Sequence, residues 1–122
     1  MTTDPHALDG RGLWNGRLLL FEALPSTNRW AMDHLAECGD GDVVVAKRQT
    51  AGKGRFERSW LCPAGRGLAL SAVLAGFKDN ALVPLVGAIA ALAVRNAMTP
   101  FGIATMLKWP NDVIVNDLKL AG

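Results

Sequence analysis

The chain has 122 residues, half of them apolar and a fifth charged, with a formal net charge of +2. That is the size and make-up of one ordinary globular domain with a single core, and it excludes disordered and fibrous composition. Such a small positive balance, concentrated in one loop, makes no case for nucleic acid as a partner.

Cys38 and Cys62 stand 24 positions apart with no CxxC or Cys/His spacing. Neither a zinc site nor a disulfide framework is supported, so a reduced, cytoplasmic setting is expected, with both thiols as small core hydrophobes. The first residues lack the basic and apolar regions of a signal peptide. The longest apolar run, residues 81–94, contains Pro84 and Gly87 and is shorter than a bilayer span, so no membrane partner is expected.

Residues 1–16 hold Pro5, Gly10, Gly12 and Gly16 and read as a loose leader before a domain over residues 17–122. They are too few for a helix-turn-helix module. Residues 17–24 are apolar-rich and bounded by Gly16 and Pro25, which predicts a strand. Ser26 or Thr27 is placed to cap a helix carrying Ala31, His34, Leu35 and Cys38 at helical spacing, with Gly39 as its stop. A lone histidine on that face is expected to be packed. Gly41-Asp42 turns the chain into a strand over residues 43–46.

Residues 47–58 then hold five basic side chains (Lys47, Arg48, Lys53, Arg55, Arg58) against Glu57, a local charge of 5 − 1 = +4. Gly52 and Gly54 bracket Lys53 and are suited to positive φ, with backbone N–H groups turned toward an anion. Charge runs are ordinarily solvated surface, and alone this loop favours that reading.

Residues 68–74 read as a second buried strand, and Asp79 or Asn80 as the cap of a helix over about 82–98, apolar nearly all round and expected to be buried on most faces. Residues 103–108 predict a strand and Trp109-Pro110-Asn111-Asp112 a turn with Trp109 packed beside it. Residues 113–115 form a return strand, Asn116-Asp117 a hairpin turn, and residues 118–120 the start of another strand. Alternating strands and helices followed by a meander argue an α/β (α+β) fold with a mixed β-sheet and packed helices.

Four segments have chemical character. Ser26-Thr27-Asn28 at a helix start can hold a polar head while helix amides favour negative charge, but taken alone the segment is better read as plain N-capping. The glycine–arginine loop lacks the third glycine of a dinucleotide fingerprint, and no GxxxxGK[ST] is present, so Rossmann and P-loop sites are excluded. Lys108, Asn111 and Asp112 around a turn can serve nucleotide phosphates, Asp112 as a route to Mg²⁺, or simply form a turn. Lys119 alternates with Leu118 and Leu120, so it faces either solvent or a ligand pocket.

In this order and spacing, Ser-Thr-Asn, Gln-x-Ala-Gly-x-Gly-Arg-x-x-Arg-x-Trp, Lys-Trp-Pro-Asn-Asp and Lys-Leu-Ala-Gly closely resemble the catalytic domain of biotin protein ligases. The resemblance runs from residue 20 to residue 122 and implies a class II aminoacyl-tRNA-synthetase-like fold. It implies a two-step reaction: biotin and ATP give biotinyl-5′-AMP and pyrophosphate, then a lysine of a biotin carboxyl carrier protein takes the biotin. ATP, Mg²⁺ and biotin enter as co-substrates and substrate, no tightly bound cofactor is implied, and a homodimer is one implied assembly.

By matching position, Ser26, Thr27, Asn28 and Gln49 would bind biotin's head, with Gly52 and Lys53 over its chain and carboxylate. Arg55 and Arg58 would contact the adenylate, Arg55 also retaining the intermediate, and Trp60 would wall the nucleotide. Lys108, Asn111 and Asp112 correspond to the ATP and metal side, and Lys119 to the lysine that stabilises the attacking carboxylate. Lys53 stands where the family has arginine, and Glu57 where a glycine is usual. The family's catalytic domain continues beyond the match and is followed by a small β-barrel, so an incomplete catalytic domain is expected. The glycine–arginine loop and Trp-Pro-Asn-Asp turn favour biotin over the related lipoate or octanoate chemistry. A non-catalytic biotin-binding module is the other alternative.

Overall fold

The structure, a computed structural model, describes the backbone of residues 6–9 and residues 15–76 and 81–122 in full. The chain divides into two compact units, residues 1–77 and residues 78–122. Where one core and one sheet were expected, each unit has its own sheet.

The first unit holds a four-stranded mixed sheet in the order β1-β2-β3-β4. Its strands are β1 (His6–Asp9), β2 (Arg17–Phe21), β3 (Val43–Ala46) and β4 (Ala69–Ala72). β2 and β3 are parallel and the outer pairs antiparallel. The expected leader is thus corrected over residues 6–9, which pair with β2; the rest of it up to residue 14 lies outside the described residues.

A parallel pair needs a crossover, and α1 (Thr27–Asp33) supplies it, packing against β3 and β4. α1 starts as expected: Ser26 is its N-cap, extended in backbone, with Oγ accepting from the Arg29 N–H at 3.3 Å. It is shorter than the spacing suggested and ends at His34, before Leu35 and Cys38. At that end the Trp30 carbonyl accepts from the His34 N–H at 3.0 Å and lies 2.9 Å from His34 Nδ1. The His34 ring stacks on the Trp30 indole at 4.2 Å and 11°, and the Cys38 N–H turns to the His34 carbonyl. His34 is packed, as anticipated.

The core of this unit is Leu19, Phe21, Leu24, Ala31, Val44, Ala46 and Val73, with Trp30 and Cys38 against it. Burial pushes the Cys38 thiol above its ordinary value, which keeps it protonated and inert. Cys62 is not a core residue; it is half-buried in a loop beside Gly67. The 68–74 stretch is a strand only over β4, and Leu68, Leu70 and Leu74 are exposed, so it is not the buried strand expected.

One polar group locks the start of the sheet. Asp42 is buried and accepts from the Arg17 N–H at 2.8 Å, from Arg17 Nε at 3.1 Å and Nη2 at 2.6 Å, and from the Gly39 N–H at 2.9 Å. Four donors on one carboxylate, led by the Arg17 guanidinium, hold its pKa down to about 2.

In the second unit α2 (Val86–Met98) is flanked by single 3₁₀ turns over Val83–Leu85 and Thr99–Phe101. A three-stranded antiparallel sheet, β5 (Met106–Lys108), β6 (Asp112–Val115) and β7 (Leu118–Ala121), follows in that order. The expected caps Asp79 and Asn80 lie outside the described residues.

α2 packs on β5 and β6, with Ala91 and Val113 buried. Ile89 and Leu92 of this helix and Leu85 just before it are exposed, so burial on most faces is not found. The helical run Val83–Phe101 is 19 residues with mean hydropathy 1.3, long and apolar enough to cross a bilayer by length and composition. The sequence-based length argument missed this because the 3₁₀ turns extend the helix at both ends. Its seat on β5 and β6, with Arg95 in the last turn, is that of a helix covering a sheet.

Candidate functional site

In the first unit, a polar cluster forms where β2, β3 and β4 deliver their ends to the start of α1. Thr27, only 3% exposed, donates its N–H to Gln49 Oε1 at 2.8 Å and places its hydroxyl 3.1 Å from the same oxygen. The Thr27 hydroxyl also meets Ser71 Oγ at 2.9 Å. Gln49 is brought there by an isolated parallel bridge between Leu24 and Gln49, three residues beyond the ends of β2 and β3. With Oε1 engaged on Thr27, the amide nitrogen is directed over Gly52.

Three of the first amides of the helix are already occupied, as plain capping by Ser26 requires. Thr27 N–H is taken by Gln49, Arg29 N–H by Ser26 Oγ, and Trp30 N–H by the Ser26 carbonyl. Asn28 is exposed. Ser71 escaped the sequence reading; the signal was a single hydroxyl inside the apolar run of residues 68–74, level with Val44 in the ladder.

The glycine–arginine loop is a small hairpin. Lys53 bridges Ser59, with Gly54 N–H on the Arg58 carbonyl at 2.7 Å and Trp60 N–H on the Gly52 carbonyl at 2.8 Å. Two expectations are corrected here. Gly54 has an extended backbone (φ −92°, ψ −170°) and its N–H is occupied, so it offers no anion cradle. The positive φ falls instead on Phe56 (57°) and Glu57 (58°) at the tip.

Gly52 is required for a different reason, close approach. A Cβ on it would lie 2.6 Å from Gln49 Nε2 and 2.7 Å from the Trp60 carbonyl oxygen. The glycine therefore lets the hairpin close against the Thr27–Gln49–Ser71 cluster.

The loop's charge is partly neutralised, once from within and once from Glu22 just after β2. Lys53 pairs with Glu57, whose carboxyl is held below its ordinary value by that hydrogen bond, and Lys47 pairs with Glu22 at 2.6 Å. The Arg55 guanidinium lies 5.1 Å from the centre of the Phe56 ring. Arg55 and Arg58 are exposed and Trp60 is half-buried.

The second unit gathers the other four predicted residues. Lys108 ends β5 directly opposite Asp112 at the start of β6, across a turn with a cis Trp109–Pro110 peptide. Trp109 is 74% exposed, so it does not pack beside the turn as expected. Asn111 is half-buried with its Cβ close to the backbone of α2 at Gly87. Lys119 Nζ on β7 lies 2.9 Å from Asp112 Oδ1. A cavity of about 410 Å³ opens beside this turn, lined mainly by α2 and β5 and including Leu85, Ile89, Leu107 and Trp109.

The structure thus brings Thr27, Gln49 and Gly52 together in one unit, with Lys53, Arg55, Arg58 and Trp60 on the adjoining hairpin. Lys108, Asn111, Asp112 and Lys119 come together in the other.

The Mg²⁺ assigned to Asp112 by resemblance does not fit as a resident ion. Among the described residues no three His, Cys, Asp or Glu side chains gather, and Asp112 Oδ1 already holds an ammonium.

The chain is 36% identical over 108 residues to the bifunctional ligase/repressor BirA of Bacillus subtilis, covering 86% of this chain and 33% of that protein. It is 37% identical over 100 residues to the biotin–acetyl-CoA-carboxylase ligase of Paracoccus denitrificans, covering 80% and 41%. Among solved structures, the Leishmania major biotin protein ligase in complex with biotinyl-5-AMP matches with a TM-score of 0.71 at 30% identity, over 84% of this chain and 48% of that one. The Aquifex aeolicus biotin protein ligase in complex with biotin and ATP matches with a TM-score of 0.65 at 32% identity, over 84% and 43%. The chain spans about a third of the length of the BirA proteins it matches. The fold, a mixed α/β arrangement with two small sheets, is that of these ligases over the matched part. The sequence profile of the Biotin/lipoate A/B protein ligase family matches residues 20–122, and the chain belongs to that family.

Proposed function

We propose that this chain is part of an ATP-dependent biotin protein ligase, an enzyme of the cytoplasm. Biotin's carboxylate attacks the α-phosphate of ATP, forming the acyl–phosphate bond of biotinyl-5′-AMP as pyrophosphate leaves. A lysine amine of a biotin carboxyl carrier protein then attacks that carbonyl and AMP leaves with its phosphate oxygen.

The observation that carries this reading is the Thr27–Gln49–Ser71 cluster held against Gly52. A bicyclic urea is neutral, with one carbonyl acceptor and two N–H donors. It needs hydroxyls and an amide in fixed orientations, and these are fixed by their own hydrogen bonds.

The carboxylate end and the phosphates need cations, because two anions must approach each other. Lys53, Arg55 and Arg58 provide them on the hairpin, and Lys108 and Lys119 on the second unit. Arg55 and Arg58 hold the adenylate, Lys119 steadies the attacking carboxylate, and Trp60 provides an aromatic face for the nucleotide. Asn111 supplies an amide on the nucleotide side. Both carrier protein and nucleotide arrive as substrates, Mg²⁺ travelling with the nucleotide and not held in a protein cage.

The test is biotin-dependent exchange of labelled pyrophosphate into ATP, with lipoate and acid-free controls. Exchange with biotin alone supports the reading. Exchange driven by lipoate, or biotin binding with no exchange in the full-length protein, refutes it.

A further inference from the structure

We infer that Asp112 is a positioning residue for the Lys119 ammonium, and that Gly122 provides the gap in which the two meet. This rests on the ligase reading above, since it says how one of its cations is aimed.

The argument starts from register. Asn116 (φ 48°) and Asp117 (φ 63°) make the tight turn between β6 and β7, which pairs Val115 with Leu118 and Ile114 with Lys119. Paired residues share a face, as do residues two apart on one strand, so Asp112, Ile114 and Lys119 lie on the same side of the sheet. Lys108, directly opposite Asp112, is on that side as well. One carboxylate therefore lies between two cations on neighbouring strands, leaving a net positive patch.

A regular ladder would end with Ala121 level with Asp112. The bulge between Val113 and Ile114 instead pairs Val113 with Ala121, which advances β7 by one residue and brings Gly122 level with Asp112. The residue with no side chain then lies where the lysine must cross. A Cβ on Gly122 would come 2.7 Å from Asp112 Oδ1 and 2.7 Å from Lys119 Nζ, and would press on Lys119 Cε. The ion pair closes over the glycine's α-carbon.

A lysine ammonium has three donors in rotating positions on a flexible stem. Holding the ammonium at 2.9 Å from Asp112 Oδ1 restricts the positions it can take, with the pair only partly exposed (42% for Lys119, 26% for Asp112). The cost of ordering the lysine is then met before substrate arrives. A metal-ligating role for the Asp112 carboxylate is the competing assignment, and the Mg²⁺ dependence of exchange separates the two.

The experiment combines acetylation of surface amines by N-hydroxysuccinimidyl acetate, read residue by residue by mass spectrometry, with biotin-dependent pyrophosphate exchange. Asp112→Asn and Gly122→Ala are each expected to change Lys119 acetylation several-fold relative to Lys47. They should lower exchange kcat roughly tenfold with little change in the KM for biotin and none in the half-saturating Mg²⁺. Asp112→Asn should add nothing in a Lys119→Ala background, whereas a merely structural role would add its full loss. Unchanged Lys119 reactivity, additive losses, or a raised Mg²⁺ requirement would each overturn the inference. If the full-length protein shows no exchange while Lys119 reactivity responds to both variants, the positioning stands and the ligase reading is what fails.

Discussion

Replacing Asp42 by Asn tests whether the Arg17–Asp42 lock holds the first unit together. The carboxyl's pKa is depressed from 3.8 to about 2. At about 1.36 kcal/mol per unit this corresponds to roughly 2.5 kcal/mol of stability at neutral pH. Arg17 is 52% exposed, and solvent screening reduces the figure to roughly 1–2 kcal/mol. Asn with its oxygen kept on the Arg17 N–H puts an NH₂ where Oδ2 accepted from both the guanidinium and the Gly39 N–H, donor against donor.

The sign follows from the depressed pKa. The contribution is fully present above the unfolded value near pH 4 and is lost as pH falls through about pH 2. Urea unfolding of wild type and Asp42→Asn, followed by circular dichroism between about pH 7 and pH 2, checks it. The variant should be less stable by about 1–2 kcal/mol at neutral pH, and the two curves should converge on acidification. Equal stabilities at neutral pH, or a gap that persists at the acid end, would refute the reasoning.

Gly52→Ala should weaken biotin binding, because a methyl cannot be placed without moving either Gln49 or the Trp60 carbonyl; overpacking of this kind costs roughly 1–3 kcal/mol, measured by calorimetric titration with biotin. Arg55→Gly should release biotinyl-AMP, read as increased biotinylation of bystander proteins by blotting. Glu57→Gly should raise the melting temperature and tighten ATP binding, since it removes a residue at φ 58° and frees Lys53, both checked by thermal-shift titration with nucleotide. Asp117→Gly should stabilise the β6–β7 hairpin by roughly 0.5–1 kcal/mol, seen as slower amide exchange across Val115 and Leu118.

Local chemistry was legible in the sequence, and geometry between distant segments was not. The Ser26 cap, the β-branched strand at residues 43–46 and the Asn116-Asp117 turn were readable because each depends on its own side chains and near neighbours. Leu70 and Ile89 are apolar but exposed, because burial depends on whether another surface covers them. Ser71 joined the site only once β4 paired with β3, and nothing in its immediate sequence foretold that pairing. Lys119 was recognised, but its partner was not. A one-residue bulge decides whether its chain lies over a glycine or an alanine, and period-two alternation carries no trace of it. The glycines of the cationic loop were rightly singled out for the wrong reason, Gly52 serving close approach and Gly54 an extended ladder.

The two departures of the loop from the family pattern are one event in the structure. Positions 53 and 57 face each other across the hairpin tip, so a cation and a carboxylate there form an ion pair that an arginine and a glycine would not. Glu57 also takes a left-handed backbone, the conformation for which a glycine is suited, so the position retains its geometry while gaining a charge. From Gln49 to Trp60 three cations and one anion leave a charge of 3 − 1 = +2. With Lys53 balanced by Glu57, that charge resides on Arg55 and Arg58, the two residues assigned to the adenylate. Both members of the pair are exposed, and exposed pairs are weak, so an arriving carboxylate or phosphate can draw Lys53 away from Glu57. The loop is therefore a hairpin whose lysine is held by its own carboxylate, and a ligand must compete for it.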